Sequence, residues 1–156
     1  MNTGNYPVTG THPDMPGTKY GQYLLKHTVV TEWYGTYLGV NGAHDFNSKM
    51  SLIYLIVNEA AFPEKAPHAH DYDEYLSFFG MRPDGLQDLG AEVEISFGQE
   101  QEKHVFNTPT TLFFPKGLLH CPLKFTRVDR PFMLVHIFVT PGYDRRAGEW
   151  TPLGRQ

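Results

Sequence analysis

Residues 63–80 read PEKAPHAHDYDEYLSFFG and residues 110–125 read TTLFFPKGLLHCPLKF. In the first stretch His68 and His70 stand two apart, the spacing that puts both imidazoles on one face of an extended chain. Past the turn signal Asp71–Asp73 comes Glu74, and a turn there can return its carboxylate to the imidazoles. In the second stretch Pro115 and Gly117 break two strand-like runs, and His120 follows the turn that fixes its direction. Both stretches read as strand, turn and strand, with the reactive side chains next to the turns.

Outward from these two stretches the same rhythm continues. The 15 glycines and 12 prolines fall between short apolar runs, the pattern of many strands joined by many turns. Further strand-like runs cover residues 27–33, 36–40, 50–57, 91–97, 103–107, 123–128 and 131–140. No amphipathic helix stands out. In 91–97, Val93, Ile95 and Phe97 share one face while Glu92, Glu94 and Ser96 share the other, which predicts one wet side. Residues 50–57 and 131–140 are apolar at both parities, which predicts cover on both faces of these strands. The result is an all-β chain with one barrel domain over 19–142. Residues 1–18 are expected to form a flexible arm, and 143–156 a C-terminal tail.

Composition excludes several function classes. At 156 residues the chain has room for a single domain, and 40% hydrophobic against 19% charged residues supplies a full core. A net charge of -4 with no basic block argues against a nucleic-acid partner. The longest apolar run, 52–57, is far short of the roughly 18 residues a spanning helix needs, and the N-terminus lacks a signal-peptide pattern. The expectation is a cytoplasmic protein with no membrane contact. A single cysteine, Cys121, forms no intrachain disulfide, in keeping with a reducing compartment.

The two quoted stretches resemble the paired motifs of the cupin superfamily, small double-stranded β-helix barrels of jelly-roll type that hold one metal ion inside. His68, His70 and Glu74 match the first motif, and Pro115, Gly117 and His120 match the second. The glycines that open the two motifs are replaced by Phe62 and Pro109, and the closing asparagine of the second by Lys124. The resemblance covers roughly 50–140 and implies that His68, His70, Glu74 and His120 bind one divalent ion. Three imidazoles and a carboxylate suit Fe, Mn, Ni, Co or Zn, and the donor types do not choose among them.

Other residues are weaker candidates. His136 shares strand parity with Phe132, Leu134 and Phe138, which predicts an interior position, as a general base beside the metal or as a core histidine. Tyr75 and Tyr54 offer phenols as acid, base or substrate hydrogen-bond donor, against the alternative of packing. Asp71 and Asp73 read as turn residues, and His104 as exposed. Cys121, directly after His120, is expected to point the opposite way along its strand.

For function, the resemblance and the residues lead to a metal-dependent enzyme acting on a small molecule. The abundant aromatics suggest an aromatic or apolar substrate. Non-redox chemistry (isomerase, lyase, hydrolase or decarboxylase type) stands first, with an Fe(II)-dependent dioxygenase and a non-catalytic binding protein as alternatives. A homodimer is expected, with the N-terminal stretch 27–40, rich in Val, Trp and Tyr, helping to form the interface.

Overall fold

The structure is a computed structural model and describes residues 9–84, 86–142 and 151–153. The chain runs through β1 (Gly10–Thr11), β2 (Lys26–His27), β3 (Val30–Glu32), β4 (Gly35–Val40), β5 (Ser51–Val57), β6 (Ala61–Glu64) and β7 (Glu74–Gly80). It continues through β8 (Ala91–Phe97), β9 (Glu102–Phe106), β10 (Thr110–Phe114), β11 (His120–Val128), β12 (Phe132–Phe138) and β13 (Thr151–Pro152). Two sheets carry the fold: a six-stranded one ordered β10-β7-β12-β5-β4-β3, and a five-stranded one ordered β13-β6-β11-β8-β9. All pairings are antiparallel. From β5 onward the chain passes repeatedly between the sheets, the strand exchange of a jelly roll. Among the described residues, no helix is long and apolar enough to cross a membrane.

The core lies between the sheets and is built by period-2 burial. In β5 the residues Ser51, Ile53, Leu55 and Val57 are buried, and in β7 Glu74, Leu76, Phe78 and Gly80. Phe78 and Phe132 from the larger sheet meet Phe125 from the smaller one, with ring centroids 6.3 and 5.3 Å from that of Phe125. This aromatic plug closes one end of the interior. Glu74 opens β7 opposite Phe138 near the end of β12, so the functional residues gather at the other end.

Three expectations from the sequence change here. Residues 9–18 are not a free arm at their inner end: Thr9 is buried, its hydroxyl donates to Gly39 O and accepts from Gly39 N, and β1 pairs with β2. A backbone-driven ladder of this kind leaves no apolar periodicity to read; residues 1–8 lie outside the described residues. In the expected tail, Thr151–Pro152 pairs with β6, while 143–150 and 154–156 lie outside the described residues. Strand β6 itself was hidden by Pro63, which interrupts a strand pattern but fits where only part of the ladder needs its N–H. Within one chain the cover predicted on both faces of 50–57 and 131–140 is complete on the inner face only. Tyr54, between buried Ile53 and Leu55, is 39% exposed on the outside of the six-stranded sheet.

Candidate metal centre

The two sequence stretches meet through backbone bonds. His68 and His120 form an antiparallel bridge, with His68 N donating to His120 O at 3.0 Å and His120 N to His68 O at 2.9 Å. The Pro115–Leu118 turn, closed by Leu118 N to Pro115 O at 3.0 Å, has Gly117 at φ 84, a left-handed conformation that favours glycine. Gly117 N then donates to His70 O at 2.9 Å, and Lys116 N to Asp73 Oδ1 at 2.8 Å. Asp73 is thus a turn clamp and Asp71 an exposed partner of Lys116 Nζ, as their reading as turn residues predicted.

This frame brings three imidazoles together, with the Glu74 carboxylate beside two of them. The Nδ1 atoms of His68 and His120 lie 3.0 and 2.9 Å from Ala66 O and Leu118 O. As N–H donors to these carbonyls, they leave each Nε2 with a lone pair facing inward. One ring nitrogen each from His68, His70 and His120 lies within 4.8 Å of the others. Glu74 Oε2 lies 3.1 Å from His70 Nε2 and 3.6 Å from His120 Nε2, yet neither Oε2 nor His120 Nε2 has a properly oriented hydrogen bond. Both residues are almost fully buried, Glu74 at 3% and His120 at 2% exposure. Unpartnered buried acceptors cost about 1–3 kcal/mol each. A cation among these lone pairs removes that cost, so the donor set fits a divalent metal.

The electrostatics agree with this arrangement. Burial pushes the His120 imidazole down to about 4, so at neutral pH it is an unprotonated donor. Burial also works against charge on Glu74, but the His136 imidazole, which donates Nε2–H to Glu74 Oε1, and His70 outweigh it and hold the carboxyl below its ordinary range. Phe114 stacks on His120 with centroids 4.1 Å apart and planes 9° apart, and Tyr72 stacks on His70 at 4.9 Å, fixing both rings.

Above the donors opens a cavity of about 530 Å³. Its walls include Ile53, Leu55, Leu76, Leu123 and Leu134, and among the described residues no lysine or arginine lines it. His136 lines it, as its parity predicted. Tyr54 and Tyr75 do not. They lie on the outer face of their strands, 39% and 37% exposed, because each alternates with a buried neighbour; chemical type, not parity, had suggested them.

Cys121 corrects the sequence reading in the other direction. It follows His120 but also lines the cavity, because the register slips between His120 and Leu123 and Cys121 takes φ 77. Burial raises its thiol, so it is no thiolate nucleophile. Glu64 is the residue the sequence reading missed. It ends β6, lines the cavity, and has its carboxyl raised by burial and by Glu74, against the opposing pull of His68 and His70. Its only sequence signal was its place in the PEKAPHAH run.

Two antiparallel sheets that exchange strands around an inward-facing His, His, Glu and His set have the architecture of the cupins, and this chain has the cupin fold. Solved structures bear this out. A variant of Bacillus subtilis oxalate decarboxylase superposes with a TM-score of 0.53 at 12% identity, covering 81% of this chain and 30% of that one. Lactobacillus farciminis oxalate decarboxylase in its formate complex gives 0.52 at 16% identity, covering 81% and 33%. A further Bacillus subtilis structure, with a TM-score of 0.52 and 12% identity over 81% of this chain and 30% of that one, was determined to assign its Mn(II) centres. The chain spans about a third of the length of these proteins. No family model and no curated protein matches it.

Proposed function

We propose that the protein is a mononuclear metal-dependent enzyme acting on a small, uncharged molecule with an apolar or aromatic body, by non-redox chemistry. The observation that carries this reading is the grouping of His68, His70 and His120, with Glu74 beside His70 and His120 and two unpartnered buried acceptors, in a cavity with one aliphatic side. The Mn(II) centres named for one structural neighbour support a metal in this fold. A bound divalent ion would polarise a substrate oxygen or activate water at neutral pH.

The chain's own residues do the rest. Glu74 is held charged, and His136 fixes its carboxylate through Oε1 so that Oε2 faces the histidines. Glu64, its carboxyl raised by burial, stands at the cavity wall, where it can exchange a proton with substrate as general acid or base. The aliphatic side of the lining, Ile53, Leu55, Leu76, Leu123 and Leu134, offers apolar contact to the body of a substrate. Among the described residues the lining holds two carboxyls and no lysine or arginine, so a dianion such as oxalate meets no cationic side chain from them. Substrate therefore does not follow from the neighbours' name.

The test is elemental analysis of untagged protein purified without oxygen, for wild type and His70→Ala, followed by binding assays with neutral aromatics and with oxalate. The expected result is about one divalent ion per wild-type chain, loss of it in the variant, and preference for the neutral ligands. Iron as the native metal with substrate-dependent oxygen uptake would replace the non-redox reading by the dioxygenase. A wild-type chain that takes up no Mn, Fe, Ni, Co or Zn refutes both.

A further inference from the structure

The outer face of the six-stranded sheet carries no charged side chain across its five longer strands. Register places its outward residues in three rows. One row runs Phe113, Tyr75, Ile137, Leu52 and Val40 across β10, β7, β12, β5 and β4. The next runs Thr111, Ser77, Val135, Tyr54 and Leu38 across the same strands. A third runs Phe79, Met133, Ile56 and Thr36. Phe113 is 45% exposed, beside the outward tyrosines of the same rows.

The smaller sheet provides an internal comparison. Its outward positions include Glu92, Glu94 and Lys124, and Glu94 pairs with Lys103 at 3.1 Å and Lys124 at 3.6 Å. A chain with 13 basic and 17 acidic residues has thus charged one sheet face and left the other without any. The serine and threonine hydroxyls on the uncharged face are already satisfied. Ser77 and Thr111 bond each other at 2.9 Å, and Thr36 lies 3.3 Å from Thr31. That face can therefore lose its water without stranding a serine or threonine.

We infer that this face is the interface of a homodimer, two copies packing sheet on sheet with β12 at its centre. Five strands about 4.8 Å apart and three rows about 6.8 Å apart make a patch on the order of 500 Å² in projection. That stands at the upper end of the largest apolar patches of monomers. A standard interface buries about 800 Å² per partner, of which the apolar patch makes the core and flanking loops the polar rim. A second copy is the occupant the chemistry selects. Two-fold packing brings this face against itself, so no charge from either side is buried. Aligned sheets pack face to face about 10 Å apart, a spacing that side chains of this size fill. Of the N-terminal stretch 27–40 expected from the sequence, Thr36, Leu38 and Val40 belong to this face, whereas Tyr37 is buried in its own core and Val30 and Tyr34 pack against that core.

Sedimentation and light scattering at micromolar concentration test this. Wild type should give about 36 kDa, twice the 17.8 kDa chain. Val135→Lys at the centre of the face, and independently Tyr54→Lys and Tyr75→Lys, should each weaken self-association at least 100-fold with the β circular dichroism retained. The tyrosine variants serve if the valine variant does not fold, since both side chains already reach solvent within one chain. Trp33→Lys, in the turn between β3 and β4, should leave the dimer intact. A wild-type mass near 18 kDa at all concentrations overturns the inference, whatever else covers the face. So does a dimer that survives the folded lysine variants or is dissociated by Trp33→Lys.

Discussion

Stripped of metal, the protein should lose stability as pH falls from about 6.5 to about 4, with His120 setting much of the slope. Its imidazole is buried against Phe114, its Nδ1 faces Leu118 O, and its Nε2 has no hydrogen-bond partner. Protonation would place a cation where only Glu74, 3.6 Å away, answers it, and burial pushes the group from 6.5 down to about 4. The unfolded chain takes up that proton near 6.5, so within the window the unfolded state binds one proton more. Stability therefore falls as pH falls. Each pH step of one costs about 1.4 kcal/mol, about 3 kcal/mol in all, against a typical total of about 5–15 kcal/mol.

Glu74 acts in the same direction only below its ordinary value of 4.5, because its carboxyl is held low in the folded state. Glu64, raised by burial, acts in the opposite sense above 4.5. Comparing wild type with His120→Gln, which does not titrate, separates the imidazole from both. The assay is urea unfolding of EDTA-treated protein at half-unit intervals from pH 7.5 to 4.5. The wild-type free energy should fall more steeply than the variant's by about 2 kcal/mol between pH 6.5 and 5. Equal slopes would refute the burial of His120 as a neutral ring.

Other perturbations read other parts of the centre. His136→Gln should weaken metal binding about 10- to 100-fold in a chelator competition by loosening Glu74, with the fold intact; unchanged affinity would deny His136 a positioning role. Gly117→Ala meets no atom within 4 Å but must hold φ 84, so it should cost about 1–2 kcal/mol in thermal unfolding and also weaken metal binding through the His70 carbonyl. No loss on either measure would show that the turn relaxes freely. Chelation of the metal-loaded protein should leave the β circular dichroism at 25 °C unchanged, because the Phe78, Phe125 and Phe132 plug lies away from the donors. It should lower the unfolding free energy by about 2.7 kcal/mol relative to free metal at 100 times Kd. Cooperative unfolding on chelation alone would contradict this.

The grouping of His68, His70 and His120 was legible because two short motifs fix strand, turn and strand, and their side chains sit next to turns whose geometry is local. The strands were legible where burial alternates, as in β7 and β8. The failures share a cause, which is contact between distant segments. Cys121 enters the cavity because of a register slip against β8, and Glu64 because β6 pairs with β11. Neither is encoded in adjacent residues. Tyr75 is the opposite case: parity with Glu74 excluded it from the interior, and only its phenol argued otherwise. The apolar outer parity of β5 and β12 was visible in the sequence, and within one chain that face stays partly exposed.

The strand order of the larger sheet has a consequence for synthesis on the ribosome. β5 and β7 never touch as neighbours; β12 lies between them and pairs with both along its whole length. A chain emerging from its N-terminus presents two apolar strands whose shared partner is not made until residue 138 has left the exit tunnel. During that interval both strands keep an unpaired backbone edge, a template for association with other nascent chains. The nascent chain therefore depends on being shielded until its central strand arrives, and slowing translation between β7 and β12 should lower the soluble yield.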